Sequence, residues 1–265
     1  MKTCAVINDL SGFGKCSLGV ALPIISVMGS EVHPLQTAAL SNQTGYDGYS
    51  CASLTSSMPD FVACWKKHKA AFDCIFTGYV ADEKQLDIID GFIDYFKSEK
   101  TLLIVDPVMA DDGNLYDGYT EKMCRKIKNL CLKADIITPN TAELAFLAGE
   151  PYTNDYEKII SYAEKLIRGG MKSIVVTGYK KNGTISNLVF EKGNMTIISA
   201  KEKGGYYSGT GDILASVIAG GVLRGMSLTA AVRLAADFIE RSIAVTDDKA
   251  HCEGIDFEKL LEVLI

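Results

Sequence analysis

The sequence contains no Cys-x-x-Cys pair and no His-Glu-x-x-His, and His33, His68 and His251 have no partner histidine at ligand spacing, so the common zinc frameworks are absent. The eight cysteines (4, 16, 51, 64, 74, 124, 131 and 252) are scattered, most within apolar segments. That distribution suits reduced thiols in a core and excludes a disulfide scaffold. The longest apolar run, Ile213 to Leu223, is far short of the ~20 residues that cross a bilayer, which excludes a spanning helix. Met1 to Asp9 lacks the apolar stretch of a secretory signal, and a cytoplasmic location is expected. No Pro/Ser-rich linker, charge block or repeat interrupts the chain, so residues 1–265 are expected to form a single domain. Basic residues are too few for a nucleic-acid partner: 27 against 33 acidic ones give a net charge of −6.

What is present is an alternation. Short β-rich runs at Cys4–Ile7, Cys74–Thr77, Leu102–Asp106, Ile136–Thr138 and Ser173–Thr177 are interleaved with longer segments of helical spacing at Asp82–Lys97, Thr120–Leu132 and Asp155–Arg168. This is the βαβ pattern of an α/β fold, with a mostly parallel sheet and helices on both faces. Ile185–Phe190 and Met195–Ser199 flank a turn at 191–194 and read as an antiparallel edge hairpin, after which the chain becomes helical. Ligands of such sheets bind beyond the carboxyl ends of the strands. Those ends are polar here: Asn8-Asp9, Thr77-Gly78-Tyr79, Asp106-Pro107, Thr138-Pro139-Asn140 and Thr177-Gly178.

Asp9 to Gly19 reads as a loop that follows the first strand and opens a helix, but it fits neither common nucleotide fingerprint. A P-loop needs Gly where Asp9 stands and Ser or Thr where Cys16 stands, and G-x-G-x-x-G fails at Ser17. Gly48-Tyr-Ser-Cys-Ala52 is one residue from a nucleophile elbow, but Ser41 to Asp47 reads as a polar loop rather than the strand such an elbow requires.

The strongest signal is the stretch from Gly204 to Asp212, which contains Gly209-Thr210-Gly211-Asp212 and runs straight into the apolar helix at Ile213. Gly209 and Gly211 let main-chain N–H groups approach an anion, and the helix N-terminus adds partial positive charge, which suits a transferring phosphoryl group. Asp212 is placed to take the proton of an attacking hydroxyl; the bland alternative is an Asp that caps a helix. Asp106 and Glu143 offer oxygen ligands that suit Mg²⁺, directly or through water, and the alternative for them is turn and cap chemistry.

These residues bring a family into view. Asp106 to Met109, Asp135 to Glu143 and Gly209 to Asp212, with Leu40-Ser-Asn-Gln-Thr-Gly-Tyr46 and Thr77-Gly-Tyr79, resemble the motifs of the pyridoxal kinase group of the ribokinase-like superfamily. The resemblance runs nearly end to end. It implies a three-layer αβα fold and transfer of the ATP γ-phosphoryl to the 5′-hydroxymethyl of a vitamin B6 vitamer, with Asp212 as base. It further implies that Thr44 and Tyr79 hold the pyridine ring and that Asp106, Asp111 and Asn140 face the phosphates and metal. By the same likeness Glu143 helps hold Mg²⁺, Thr177 approaches ATP, Asp111 to Tyr119 form a flap, K⁺ assists, and the protein is a homodimer. Two departures bear on the substrate: Asp9 stands where pyridoxal kinases usually have Ser, and Ser11-Gly-Phe-Gly14 is similar to the hydroxymethylpyrimidine kinases of thiamine synthesis. Many of those kinases have Cys in place of Asp212 and lack Thr-Gly-Tyr-Asp at 44–47, which favours vitamin B6. A carboxylate at Asp9 would suit a protonated pyridine nitrogen. A non-catalytic ligand-binding relative is the remaining alternative.

Overall fold

The computed structural model describes residues 1–203, 206–247 and 253–265; Gly204 and Gly205 of the glycine-rich stretch, His251 and Cys252 lie outside the described residues. Eleven strands are described: β1 (Lys2–Phe13), β2 (Ser30–Asn42), β3 (Cys51–Ser53), β4 (Cys74–Thr77), β5 (Leu102–Val105), β6 (Ala110–Asp111), β7 (Asn114–Leu115), β8 (Ile136–Ile137), β9 (Ser173–Lys181), β10 (Thr184–Glu191) and β11 (Asn194–Lys201). The α-helices are α1 (Ser17–Val27), α2 (Met58–Lys67), α3 (Glu83–Phe96), α4 (Glu121–Lys133), α5 (Thr141–Ala148), α6 (Tyr156–Arg168), α7 (Thr210–Leu223) and α8 (Leu228–Ala244), and a 3₁₀-helix covers Phe257–Leu264.

Nine strands form one sheet in the order β11-β10-β9-β8-β5-β4-β1-β2-β3, parallel from β9 to β2, with antiparallel pairs at both edges. Alternate residues of each strand face opposite ways, and the core divides accordingly. Ala5, Ile7, Ile75, Leu103 and Val105 pack under α2 to α6, whereas Cys4, Val6, Phe76 and Ile104 pack under α1, α7, α8 and the 3₁₀-helix. The result is the expected three-layer α/β architecture.

The crossover helices form where apolar spacing and caps agree. In α3 the buried Leu86, Ile89, Phe92, Ile93 and Phe96 make one stripe, and the Asp82 side chain accepts from the N–H groups of Lys84 and Gln85. Thr120 and Asp155 cap α4 and α6 in the same way. The edge hairpin closes through Lys192-Gly193, and a second one through Asn182-Gly183; in both turns the two central residues have positive φ, which matches the twist of the flanking strands.

Three expectations are corrected. First, β1 does not stop at Ile7 but runs to Phe13, because Ser11 and Phe13 pair with Leu40 and Asn42 of β2, so Asp9 lies in a strand and not in a loop. Second, β2 is a long strand that Pro34 and its polar residues conceal, and Ser41 and Asn42 belong to it and not to the polar loop. Third, α7 begins at Thr210, three residues earlier than the apolar run, which puts Asp212 inside the first helical turn. Of the cysteines, Cys4, Cys16, Cys74 and Cys131 are buried as expected, whereas Cys51 and Cys64 are exposed.

Candidate active site

Gly209 caps α7 with φ +77 and supplies no side chain, so the helix starts without the capping oxygen that would block an incoming anion. The first intrahelical bond runs from the Ile213 N–H to the Gly209 carbonyl at 3.0 Å, which leaves the N–H groups of Thr210, Gly211 and Asp212 ahead of the helical ladder. A Cβ built on Gly211 would meet nothing within 4 Å among the described residues, so no described side chain or backbone crowds that position. The Thr210 hydroxyl turns back to the Tyr207 carbonyl at 3.2 Å, and Thr210 therefore offers the cleft its N–H rather than its side chain.

Asp212 sits third in the helix and is not a cap. Burial pushes its carboxyl up to about 7, Asp106 and then Asp9 add to the rise through their charge, and hydrogen bonding from the Ser17 N–H and the Asn8 amide pulls it back. A carboxylate with a value near neutrality is matched to proton abstraction at physiological pH.

On one side of Asp212 lie the ends of β1 and β4. Asp9 is 4% exposed, and burial raises its carboxyl while the hydroxyls of Ser17 and Ser11 favour the charged form; the Ser11 bond is 3.2 Å. Tyr79 follows β4, and its phenol is pushed up to about 12 by burial and by the neighbouring Cys51 and Asp9. Its ring lies 6.3 Å from that of Tyr119, whose hydroxyl donates to the Val80 carbonyl at 3.0 Å. Asp9 and Tyr79 therefore line one half of a cleft. Thr44 is exposed in the turn after β2, where its neighbour Gln43 is buried and accepts the Gly45 N–H at 2.6 Å.

On the other side lie the ends of β5, β8 and β9. Burial lifts Asp106 to about 6 although the Thr138 hydroxyl donates to it at 2.8 Å. Glu143 is raised well above the carboxylate range, first by burial and then by Asp106, while the N–H groups of Asn140, Met109 and Ala110 favour its charged form. Asn140 and Glu143 form a reciprocal capping box on α5, and Asn140 also donates to the Ala110 carbonyl at 2.8 Å, so its side chain fixes the β6–β7 hairpin to α5. Asp111 ends β6; burial and Asp112 raise its carboxyl, and Lys180 opposes them. The Thr177 N–H donates to the Pro139 carbonyl at 2.8 Å, and Asn140 and Thr177 form an isolated parallel bridge beyond the Ile137–Ile174 pair of β8 and β9.

Sequence reasoning named Asn8 only as a strand end, and Ser17 only as the residue that breaks a fingerprint. Ser17 takes φ +50, rare for a residue with a Cβ, and this turn aims its N–H at Asp212 and its hydroxyl at Asp9. Nothing in the sequence marks that conformation. Among the described residues no cluster of three metal-ligating side chains exists. Magnesium in phosphoryl transfer needs only one or two carboxylates besides the phosphates, and the buried carboxyls of Asp106 and Glu143 are oxygen donors of the kind that fit it.

Comparison with known proteins shows the family and the fold. Residues 64–254 match the family model described as phosphomethylpyrimidine kinase. The chain is 30% identical to the pyridoxal kinase of Dictyostelium discoideum over 74% of its own length and 70% of that protein. The crystal structure of a protein named as a phosphomethylpyrimidine kinase from Bacteroides thetaiotaomicron, in a form with pyridoxal, superimposes with a TM-score of 0.94 at 38% identity, over 99% of this chain and 95% of that one. Pyridoxal kinase from Lactobacillus plantarum gives a TM-score of 0.89 at 31% identity, over 100% and 96%.

Proposed function

The chain belongs to the phosphomethylpyrimidine kinase family, in the pyridoxal kinase group of the ribokinase-like superfamily, and we propose that this kinase phosphorylates the 5′-hydroxymethyl of pyridoxal, pyridoxamine or pyridoxine with ATP. The observation that carries the reading is Asp212, a carboxyl raised to about 7 in the same helical turn as the N–H groups of Thr210, Gly211 and Asp212, which precede the helical ladder.

In the reaction the ionised Asp212 accepts the proton of the hydroxymethyl group as its oxygen bonds to the γ-phosphorus. The bond from that phosphorus to the β-phosphate bridging oxygen breaks, and ADP leaves with the electron pair. The N–H groups at the start of α7 hold the equatorial oxygens of the transferring group, where the helix dipole also favours negative charge. Asp9 and Tyr79 orient the ring, with Thr44 contributing from the turn, and Thr138, Asn140, Asp111 and Thr177 shape the nucleotide side. Asp106 and Glu143 would hold Mg²⁺, Glu143 through water because its oxygens already accept main-chain donors; the ion would neutralise phosphate charge. The β6–β7 hairpin serves as the flap. A K⁺ requirement, a homodimeric state and a cytoplasmic location complete the proposal on family likeness, and among the described residues no helix is long and apolar enough to cross a membrane.

Ser11-Gly-Phe-Gly14 and the family's own description favour hydroxymethylpyrimidine as a second substrate class. ADP release measured in parallel with pyridoxal, pyridoxamine, pyridoxine and hydroxymethylpyrimidine separates the two through kcat/KM. A B6 vitamer is expected to rank first; hydroxymethylpyrimidine ahead by tenfold or more would reverse the assignment.

A further inference from the structure

Asn8 is 1% exposed at the carboxyl end of β1, and its side chain is oriented without ambiguity. Its Oδ1 accepts two main-chain donors, the Tyr79 N–H at 2.8 Å and the Asp9 N–H at 3.0 Å. Two N–H donors at one atom require that atom to be oxygen, so the amide nitrogen must face the other way. On that side is the Asp212 carboxyl, whose charged form the Asn8 amide supports. Gly78 makes this possible. A Cβ built there would stand 2.5 Å from the Asn8 Nδ2, 2.7 Å from its Cγ and 2.9 Å from its Oδ1, and Gly78 has no unusual φ to explain a glycine. The missing side chain leaves the space the amide occupies.

We propose that Asn8 is a positioning residue that holds the base Asp212 and the substrate-ring residue Tyr79 in one rigid frame, and that Gly78 is the glycine that admits it. One amide thus links the proton acceptor to the wall of the acceptor-substrate half of the cleft, so a vitamer seated against Tyr79 presents its hydroxyl to a carboxylate of fixed orientation. The inference rests on the reading of Asp212 as base.

Three variants separate the two ends of the amide. Asn8→Asp keeps an acceptor for the Tyr79 N–H and removes the donor to Asp212; it is expected to lower the single-turnover rate roughly 10–100-fold while the pyridoxal KM stays within about threefold. Asn8→Ala removes both contacts, and both the rate and the pyridoxal KM are expected to worsen. Gly78→Ala displaces the amide without touching Asp212 and is expected to reproduce the Asn8→Ala rate loss. The double variant Asn8→Ala/Gly78→Ala should be no slower than Asn8→Ala alone, because the clash disappears with the amide.

Additive losses in the double variant, or a Gly78→Ala enzyme of wild-type rate, would overturn the proposal. Should an Asn8 or Gly78 variant not fold, the Asp212→Asn protein still decides the point: its Asn8 side-chain amide resonances should be displaced from those of the wild type, and their standing still would refute the contact. If Asp212→Asn itself keeps full turnover, the base assignment fails rather than the Asn8 contact, which the amide resonances report independently of activity.

Discussion

A Cβ placed on Gly209 would lie 1.8 Å from the carbonyl oxygen of Lys15, far inside any non-bonded carbon–oxygen contact. The loop before α1 and the start of α7 are therefore in backbone contact at the Gly209 turn. Lys15 is itself held from the far end of the chain: its N–H donates to the Glu253 carbonyl at 2.8 Å, and its ammonium pairs with Asp256 at 2.7 Å and Glu258 at 2.9 Å.

Gly209→Ala is accordingly expected to be severe. The left-handed conformation alone costs a non-glycine residue about 1–3 kcal/mol, and the clash with backbone, which cannot rotate away, adds to that. Denaturant unfolding should show a stability loss of at least that size, and any folded fraction should phosphorylate slowly because the N–H groups of α7 have shifted. A variant with wild-type stability would contradict the contact.

The pH profile of kcat/KM reports the free enzyme's essential base. Asp212 must be ionised to accept a proton, and its carboxyl is pushed up to about 7, so kcat/KM should rise with pH through a limb near neutrality and level above it. Steady-state rates from pH 5 to 9 test this; a limb near the ordinary carboxylate range of about 4 would contradict it.

The same shift has a cost in stability. A carboxyl whose native value lies above its unfolded value binds protons more tightly when folded, so its contribution is fully present below about 4 and is lost as pH rises through about 7. Asp212→Asn removes that loss. Its Tm should exceed the wild-type Tm by several degrees at pH 8, with the difference vanishing toward pH 4. Equal melting temperatures at pH 8 would refute the burial of this charge.

Asp9 provides a test of how the ring is held. If its carboxylate pairs with a protonated pyridine nitrogen, the pyridoxal KM should rise as pH falls through the carboxyl's burial-raised value, and Asp9→Ser should lose that dependence. Pyridoxal KM measured across pH in both proteins checks it, and superimposable profiles would remove the ion pair.

Much of the fold was legible because local signals agree: apolar stripes and caps mark α3, α4 and α6, and unbroken apolar runs mark the central strands. β2 and the extension of β1 were not, since Pro34 and a polar alternation hide a strand whose existence depends on pairing with a neighbour. In the candidate site, Asp212, Gly209 and Gly211 were legible as candidates because a glycine-rich turn that runs into an apolar helix suits an anion. Asn8 and Ser17 could not, because their roles depend on a neighbour 71 residues away and on a positive φ that serine seldom adopts. Glu143 was legible both as a candidate metal-binding acid and as part of a helix start, and the structure adds the reciprocity of its capping box with Asn140.

The most direct measurement is the single-turnover rate of phosphoryl transfer from ATP to pyridoxal by Asp212→Ala beside the wild type. A loss of roughly 10²–10⁴ with ATP affinity little changed is the result expected of a missing general base. Turnover within a few-fold of wild type would contradict it.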